Sequence, residues 1–343
     1  MRLTEADADR AHDMIIDVRG LKTSFATPLG TLKAVDGVSF SVGESEMLAI
    51  VGESGSGKSV TGLSIMRLFG RTGAHIDAGE LRFKSSGGSV DLARLDEDQM
   101  ARIRGQEIAI IFQDPMSSLN PLLTVGDQIG EGLRVHKGLS RAEAQKAAIA
   151  LLTRVGIPDA AERVKAYPHQ FSGGMRQRVM IAIALAANPR LLIADEPTTA
   201  LDVTIQAQIV TLLKALQRDE RMAMIFITHD LALVGDIADR VAVMYAGEIV
   251  ETGPAQEVVE APRHPYTRAL VACMARHAPQ EGGRRRLKPI PGTLPDPYAP
   301  HTGCRFAPRC PLVDGDCSAR AISLEEISPT RAVRCLKWRR VAA

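Results

Sequence analysis

Short apolar runs alternate with segments of helical periodicity over much of the chain. Residues 203–217 place Ile205, Ile209 and Leu213 on one helical face, and no glycine or proline interrupts the helical pattern of residues 141–155. Short strands that alternate with helices predict a parallel sheet with crossover helices, and therefore an α/β fold. The apolar runs span residues 47–51, 108–112, 191–194, 223–227 and 241–245.

Charge and proline content divide the chain near residue 256. Residues 257–343 contain 15 basic and 8 acidic residues, a net charge of +7, whereas residues 1–256 have a net charge of −5. Prolines also become frequent, notably in 289–300. We therefore predict one domain over 1–256 and an extension over 257–343. No stretch approaches 18 uninterrupted apolar residues, and residues 1–20 are too charged for a signal peptide, so we expect a cytoplasmic protein.

A glycine-rich segment follows the first apolar run. Residues 52–59, which we call the phosphate loop, match the pattern G-x-x-x-x-G-K-S/T between a predicted strand and a helix that begins at Lys58. Such a loop directs backbone N–H groups at phosphates, while Lys58 reaches the β- and γ-phosphates and Ser59 ligates Mg²⁺. The alternative is a plain glycine-rich turn. The residues expected to contact the nucleotide here are Gly52, Glu53, Ser54, Gly55, Ser56, Gly57, Lys58, Ser59 and Val60.

Two carboxylates end the third apolar run. Asp195 and Glu196 follow residues 191–194, which places them at the carboxyl edge of the sheet, where ligands bind in α/β folds. Asp195 is suited to hold Mg²⁺ through water, and Glu196 to polarise the water that attacks the γ-phosphate. The alternative is a solvated pair at a strand-to-turn junction, which Pro197 would favour.

Residues 171–177, with the sequence F-S-G-G-M-R-Q, resemble the LSGGQ signature of ATP-binding-cassette (ABC) ATPases, and we predict an apolar helix over 179–187 after them. Other motifs of that family follow the same order. Gln113 resembles its Q-loop glutamine, Asp202 its D-loop aspartate and His229 its switch histidine, and Phe25 could stack on adenine. The resemblance implies a RecA-like core, an antiparallel β subdomain and a helical subdomain.

The resemblance also implies a head-to-tail dimer in which ATP lies between the phosphate loop of one subunit and the signature of the other. Ser172, Gly173 and Gly174 offer N–H groups at a helix N-terminus, which suits a γ-phosphate. Gln113 would contact Mg²⁺ and the attacking water, and His229 would sense the γ-phosphate, although a histidine alone is more often a core residue. ATP binding would then close the dimer and hydrolysis would reopen it.

The extension resembles the C-terminal tail of oligopeptide and dipeptide importer ATPases. The likeness lies in P-R-H-P-Y-T at 262–267 and G-C-R-F-A-P-R-C-P at 303–311, and the variant signature with Phe171 and Met175 strengthens it. Four cysteines of the extension are spaced x5, x6 and x17, which matches neither common zinc nor ferredoxin patterns, so zinc and free thiols remain alternatives. The resemblance implies a [4Fe-4S] cluster on Cys304, Cys310, Cys317 and Cys335.

These features together predict the ATP-hydrolysing subunit of a di- or oligopeptide importer, peripheral to the cytoplasmic face of the inner membrane. Its expected partners are two membrane permeases, a second ABC ATPase (itself or a paralogue) and, through the complex, an extracytoplasmic peptide-binding protein, with no nucleic acid. The alternative is an ABC ATPase that acts on DNA or ribosomes. Only 112 residues separate Ser59 from Ser172, without sustained heptads, which disfavours the coiled-coil DNA-repair type. Lys58, Glu196 and His229 together disfavour a non-catalytic scaffold.

Overall fold

A computed structural model describes residues 14–70, 72–199, 201–274, 280–281, 284–285, 289–299 and 301–341. The chain divides into two compact units, each of which draws on several segments. Unit 1 comprises residues 42–46 and 82–226 with residues 14–16, and unit 2 comprises residues 17–41, 47–81 and 227–341, within the described ranges. The extension therefore lies in the same unit as the phosphate loop.

Most strands are short, and those of the apolar runs are buried along their whole length or nearly so. The strands are β1 (Met14–Thr27), β2 (Gly30–Gly43), β3 (Met47–Val51), β4 (Ala74–Ser85), β5 (Gly88–Asp91), β6 (Ile108–Ile111), β7 (Leu191–Asp195), β8 (Ala223–Thr228), β9 (Arg240–Tyr245), β10 (Glu248–Pro254), β11 (Gln280–Glu281), β12 (Arg284–Arg285), β13 (Glu325–Ser328) and β14 (Arg331–Val333).

The α-helices range in length from four to seventeen residues. They are α1 (Lys58–Met66), α2 (Glu97–Ile103), α3 (Pro115–Ser118), α4 (Val125–Lys137), α5 (Arg141–Arg154), α6 (Ala160–Arg163), α7 (Gly173–Leu185), α8 (Val203–Asp219), α9 (Leu231–Ile237), α10 (Ala255–Glu260), α11 (Pro265–Ala272), α12 (Gly315–Ala319) and α13 (Trp338–Val341). Among the described residues, no helix is long and apolar enough to cross a membrane.

Unit 1 combines parallel strands with a group of helices. Strand β6 pairs in parallel with β7, and β7 lies next to β8, whose first four residues belong to this unit. Helices α4, α5 and α7 pack against one another. Their ends are set by local sequence, since Thr124 caps α4, Gly138 ends it in a left-handed conformation, and Ser140 and Glu143 form a capping box on α5.

In unit 2, the extension adds strands to the sheet that contains β3. Strand β3 pairs in parallel with β9, β9 pairs antiparallel with β10, and β10 continues through β14 of the extension to β13. The hairpin strands β1 and β2 also belong mostly to this unit, where β1 lies between β2 and β4. Strand β14 therefore extends the sheet that contains β3, the strand before the phosphate loop.

The structure confirms the five predicted strands and the helices predicted over 141–155 and 203–217, with ends that differ by at most two residues. Phe112 is exposed beyond β6, and β7 includes Asp195. The predicted start of the signature helix is wrong: α7 begins at Gly173 rather than Val179, because the Ser172 hydroxyl accepts a hydrogen bond from the Met175 N–H and caps it there.

Candidate functional site

The phosphate loop joins β3 to α1 through a tight backbone path. Gly55 and Gly57 have φ values of 80° and 101°, in the left-handed region that glycine reaches without strain. No side chain caps α1, and its first turn contains no acidic residue. The N-terminal N–H groups of this helix therefore form a surface suited to an anion.

Two glycines of this loop are fixed by close backbone neighbours. A Cβ atom at Gly52 would lie 2.2 Å from the Met244 carbonyl oxygen, and one at Gly57 would lie 2.4 Å from that of Ala34. Lys58 is almost fully buried, and its Nζ donates to the carbonyl oxygens of Gly52 (2.9 Å) and Glu53 (3.0 Å). Two backbone carbonyl oxygens of the loop thus hold the Lys58 ammonium group within the loop.

Ser56 and Glu53 occupy different environments in the same loop. The Ser56 Oγ is buried and has no hydrogen-bond partner among the described residues. A buried hydroxyl of this kind costs free energy unless a ligand or water satisfies it. The Glu53 carboxylate is paired with Arg309 of the extension, and the backbone N–H of Glu53 donates to the Tyr266 hydroxyl.

Unit 1 holds the two carboxylates at the end of β7. Asp195 is the last residue of the strand and is only 6% exposed. Glu196 follows with a φ of 45°, which is strained for a residue with a side chain. Gln113 Nε2 (3.1 Å) and Thr199 Oγ1 (2.9 Å) both donate to Glu196 Oε2. Gln113 and Glu196, which the sequence predicted for one site, are therefore in contact.

The signature and the residues after Asp202 also meet in unit 1. Ser172 and Gly173 are exposed at the start of α7, and Asp202 caps α8 by accepting a hydrogen bond from the Ile205 N–H (3.0 Å). A Cβ atom at Gly174 would lie 2.7 Å from Ile205 Cγ2. The two helices thus pack closely here, and Gly174 is required for that approach.

His229 and Phe25 lie in unit 2. His229 is exposed directly after β8, so the general expectation of a core histidine does not hold at this position. Asp230 next to it caps α9. Phe25 lies within β1 and is half-buried. Each predicted residue is thus at a strand end, a helix start or a loop, apart from Phe25.

Thr199 and Arg309 were missed as site residues by the sequence analysis. Thr199 had a local signal, since it follows Glu196 by three residues in a turn, where a hydroxyl can reach back to the carboxylate. Arg309 is 256 residues from Glu53 in the sequence, so no local pattern indicates their contact.

Cys304, Cys310, Cys317 and Cys335 line one small apolar pocket together with His264, Phe306 and Lys337. None of the five cysteines, all of which lie in the described residues, forms a disulfide bond. Burial raises the pKa values of Cys304 and Cys335 to about 11. Within the described ranges, no group of three or more His, Cys, Asp or Glu side chains is arranged so that it could hold a metal ion.

The backbone brings these cysteines close together. The Cys304 N–H donates to the Cys317 carbonyl oxygen (2.7 Å), and a Cβ atom at Gly303 would lie 2.3 Å from that same oxygen. Backbone N–H groups of Leu312 and Lys337 donate to the sulfur atoms of Cys310 and Cys335. The glycine before Cys304 is therefore needed to join the two cysteine segments.

Comparisons with known proteins match both parts of the chain. The family described as "ABC transporter" matches residues 35–199, and the family described as "Oligopeptide/dipeptide transporter, C-terminal region" matches residues 250–317. A putative peptide import ATP-binding protein of Brucella melitensis is 53% identical over 333 residues, which is 96% of this chain and 98% of the relative. The chain is an ABC transporter ATP-binding protein of the oligopeptide/dipeptide family. As a member of this family, it binds and hydrolyses ATP.

Other members of the ABC transporter family support the assignment. The dipeptide transport ATP-binding protein DppD of Bacillus subtilis is 49% identical over 322 residues, 94% of this chain and 92% of that protein. Among solved structures, the dimeric bacterial ABC transporter cassette MJ0796 matches 70% of this chain and 98% of its own, with a TM-score of 0.62 and 28% identity. The protein cbiO1 from Clostridium perfringens matches 72% and 91%, with a TM-score of 0.59 and 29% identity.

Proposed function

We propose that this ATP-binding protein energises the import of di- or oligopeptides through a membrane ABC transporter. The observation that carries this function is the match along nearly the whole chain to peptide import ATP-binding proteins, extension included. The comparisons give no support to the alternative function on DNA or ribosomes.

In the proposed ATP site, Lys58 and the N–H groups of the phosphate loop and α1 bind the β- and γ-phosphates. The buried, unsatisfied Ser56 hydroxyl and the uncapped start of α1 support this role. Ser59, Asp195 and Gln113 would hold Mg²⁺, which neutralises phosphate charge. Phe25 would stack on adenine.

Glu196 is the proposed general base for the attacking water. Two donors fix its Oε2 atom, which supports a carboxylate held in one orientation. His229, exposed after β8, would contact the γ-phosphate. Ser172, Gly173, Gly174 and Asp202 would act across a head-to-tail dimer with a second ABC ATPase; the cassette MJ0796 has been described as a dimer.

The proposed setting is the cytoplasmic face of the inner membrane, where the dimer docks on two permeases that receive peptide from an extracytoplasmic binding protein. The segment after Gln113 supports a docking role, because Met116 and Leu122 are exposed apolar side chains. Their exposure is typical of a surface that a partner covers.

The experiment compares uptake of radiolabelled di- and tripeptides by cells that express the wild-type chain or Glu196→Gln in place of the native copy. We expect Glu196→Gln to bind ATP, to hydrolyse it at least about a hundredfold more slowly, and to abolish uptake, because water activation is lost. Purified protein assayed for phosphate release supplies the hydrolysis rate. Normal peptide uptake in cells that lack the chain would reject peptide import, and near-normal hydrolysis by the variant would reject Glu196 as the base.

We also propose that Cys304, Cys310, Cys317 and Cys335 ligate a [4Fe-4S] cluster, which would link the segments of the extension. The chemistry of the donors supports this proposal, since four thiols line one pocket and two of them accept backbone N–H groups. His264 lines the same pocket: its Nδ1 accepts from the Tyr266 N–H, and its buried Nε2 has no partner among the described residues. A neutral His264 would therefore present an N–H donor to a negatively charged group.

Anaerobically purified protein is expected to be brown and to contain about four iron and four sulfide per chain. Cys304→Ser should remove the iron, whereas Cys273→Ser, outside the pocket, should retain it. A colourless wild-type protein with stoichiometric zinc or with four titratable thiols would instead identify one of the two alternatives.

A further inference from the structure

Glu53 of the phosphate loop is held by two residues of the extension. Arg309 Nη1 donates to Glu53 Oε2 (2.8 Å) and Nη2 donates to Oε1 (3.0 Å), which forms a bidentate ion pair. The backbone N–H of Glu53 donates to the Tyr266 hydroxyl (2.8 Å). Both the side chain and the main chain of one loop residue are therefore bound by the extension.

Arg309 is itself rigidly placed. Its side chain is 4% exposed, and its Nε donates to the Pro291 carbonyl oxygen (2.8 Å). The guanidinium lies over the rings of Tyr245 and Phe306, 5.7 and 5.8 Å from their centroids. The ion pair with Glu53 raises the pKa of Arg309, so it remains a cation. A charge fixed in this way cannot move away from Glu53 without losing several contacts.

Tyr266 is placed by the motif at 262–267. The buried Glu251 carboxylate accepts the N–H groups of Arg263 and His264, and His264 Nδ1 accepts the Tyr266 N–H at the start of α11. Burial raises the pKa of Tyr266, so the hydroxyl stays neutral. Each of the two sequence motifs of the extension, at 262–267 and 303–311, thus provides one residue that contacts Glu53 of the phosphate loop.

We propose that Arg309 is a positioning residue for nucleotide binding, through which the extension sets the shape and charge of the phosphate loop. This inference rests on the ATP site proposed above. An unpaired Glu53 carboxylate would repel a triphosphate at the neighbouring N–H groups, and the bidentate Arg309 pair cancels that charge. Leu294 of the extension also lies close to the loop, since its Cδ1 would be 3.5 Å from a Cβ atom added to Gly55.

The test measures the Kd of a fluorescent ATP analogue and the kcat and KM of hydrolysis for the full-length chain. We expect Arg309→Gln to raise the Kd by about tenfold or more, since a charge-assisted pair is lost and a negative charge is left beside the phosphates. Arg309→Lys should recover most of the affinity, because it retains the charge. Glu53→Gln in the Arg309→Gln background should also restore binding, because the repulsive carboxylate is gone.

The matched control is Arg334→Gln, which removes another arginine of the extension. Arg334 donates to the carbonyl oxygens of Ile249 and Ile322 and pairs with Glu248, and none of these partners belongs to the phosphate loop. The Kd of the Arg334→Gln variant should stay within about twofold of wild type, even if its midpoint of thermal unfolding falls. An Arg309→Gln Kd equal to that of Arg334→Gln, or a double variant with Glu53→Gln that binds no better than Arg309→Gln, would overturn the proposal in favour of a purely structural anchor.

Discussion

The backbone at Glu196 is held in a conformation that side chains rarely adopt. Its φ of 45° costs free energy unless neighbouring contacts stabilise it, and Gln113 and Thr199 supply two hydrogen bonds to one carboxylate oxygen. Glu196 directly follows β7, and its positive φ departs from the extended conformation of the strand. The result is a carboxylate whose orientation is set before any substrate arrives.

Thr199→Val removes one of the two donors to Glu196 Oε2 and leaves the shape of the residue nearly unchanged. We expect kcat to fall by about threefold to tenfold, because a hydrogen bond to a charged acceptor is lost, while the Kd for ATP stays unchanged. Phosphate release under saturating ATP gives kcat. Thr211→Val on α8, whose hydroxyl donates to the Ala207 carbonyl oxygen, is the control and should keep the wild-type rate. Equal rates in both variants would show that Thr199 does not orient Glu196, the proposed base.

At the level of elements, the sequence predicted the existence of the signature helix but not its start. Residues 173 and 174 are glycines, which have low helix propensity, so the predicted apolar helix began only at Val179. The Ser172 cap outweighs that penalty. The five predicted strands were easier, because each is a continuous run of β-branched or apolar residues that is buried or nearly so.

Gly174→Ala tests the close approach of α7 and α8. The new methyl group would lie 2.7 Å from Ile205 Cγ2, so we expect a loss of about 1–2 kcal/mol in the free energy of unfolding, despite the higher helix propensity of alanine. Urea unfolding measures the change. Gly132→Ala on α4, where the methyl group would meet Ala186 at 3.8 Å, should be neutral or stabilising.

The pair Gly174→Ala with Ile205→Ala separates overpacking from other effects. Removing the Ile205 side chain should make Gly174→Ala nearly neutral in that background, because the clashing Cγ2 atom is gone. An undiminished loss in the double variant would contradict the close packing of these two helices.

At the scale of the whole molecule, charge and proline content indicated that residues 257–343 form a chemically distinct region. They could not indicate that this region adds β14 to the sheet of unit 2 or places Tyr266 and Phe306 against Tyr245 in its core. Such contacts join residues far apart in sequence, and their partners are chosen by packing rather than by local periodicity. The sequence could therefore indicate where the motifs lie, whereas the contact between the extension and the phosphate loop could not be predicted from it.

His264 makes the stability of this region depend on pH. Burial lowers the pKa of His264 from its ordinary value of 6.5 to about 3, so the folded chain holds the ring neutral where the unfolded chain would protonate it. The stabilisation from this group is complete above pH 6.5 and is lost progressively as the pH falls toward 3, because the unfolded state binds more protons in that window. From pH 7 to pH 5, His264 alone should reduce the free energy of unfolding by about 2 kcal/mol.

The variant His264→Asn isolates this contribution, because its side-chain oxygen can still accept the Tyr266 N–H at the start of α11 while the ring that titrates is absent. Urea unfolding of both proteins at pH 7 and pH 5 gives the change for each. The wild-type chain should lose about 2 kcal/mol more than the variant between the two pH values, whatever their stabilities at pH 7. Equal losses would mean that His264 is protonated in the folded chain, and the proposed N–H donor toward the cysteine pocket would then have to be reassigned.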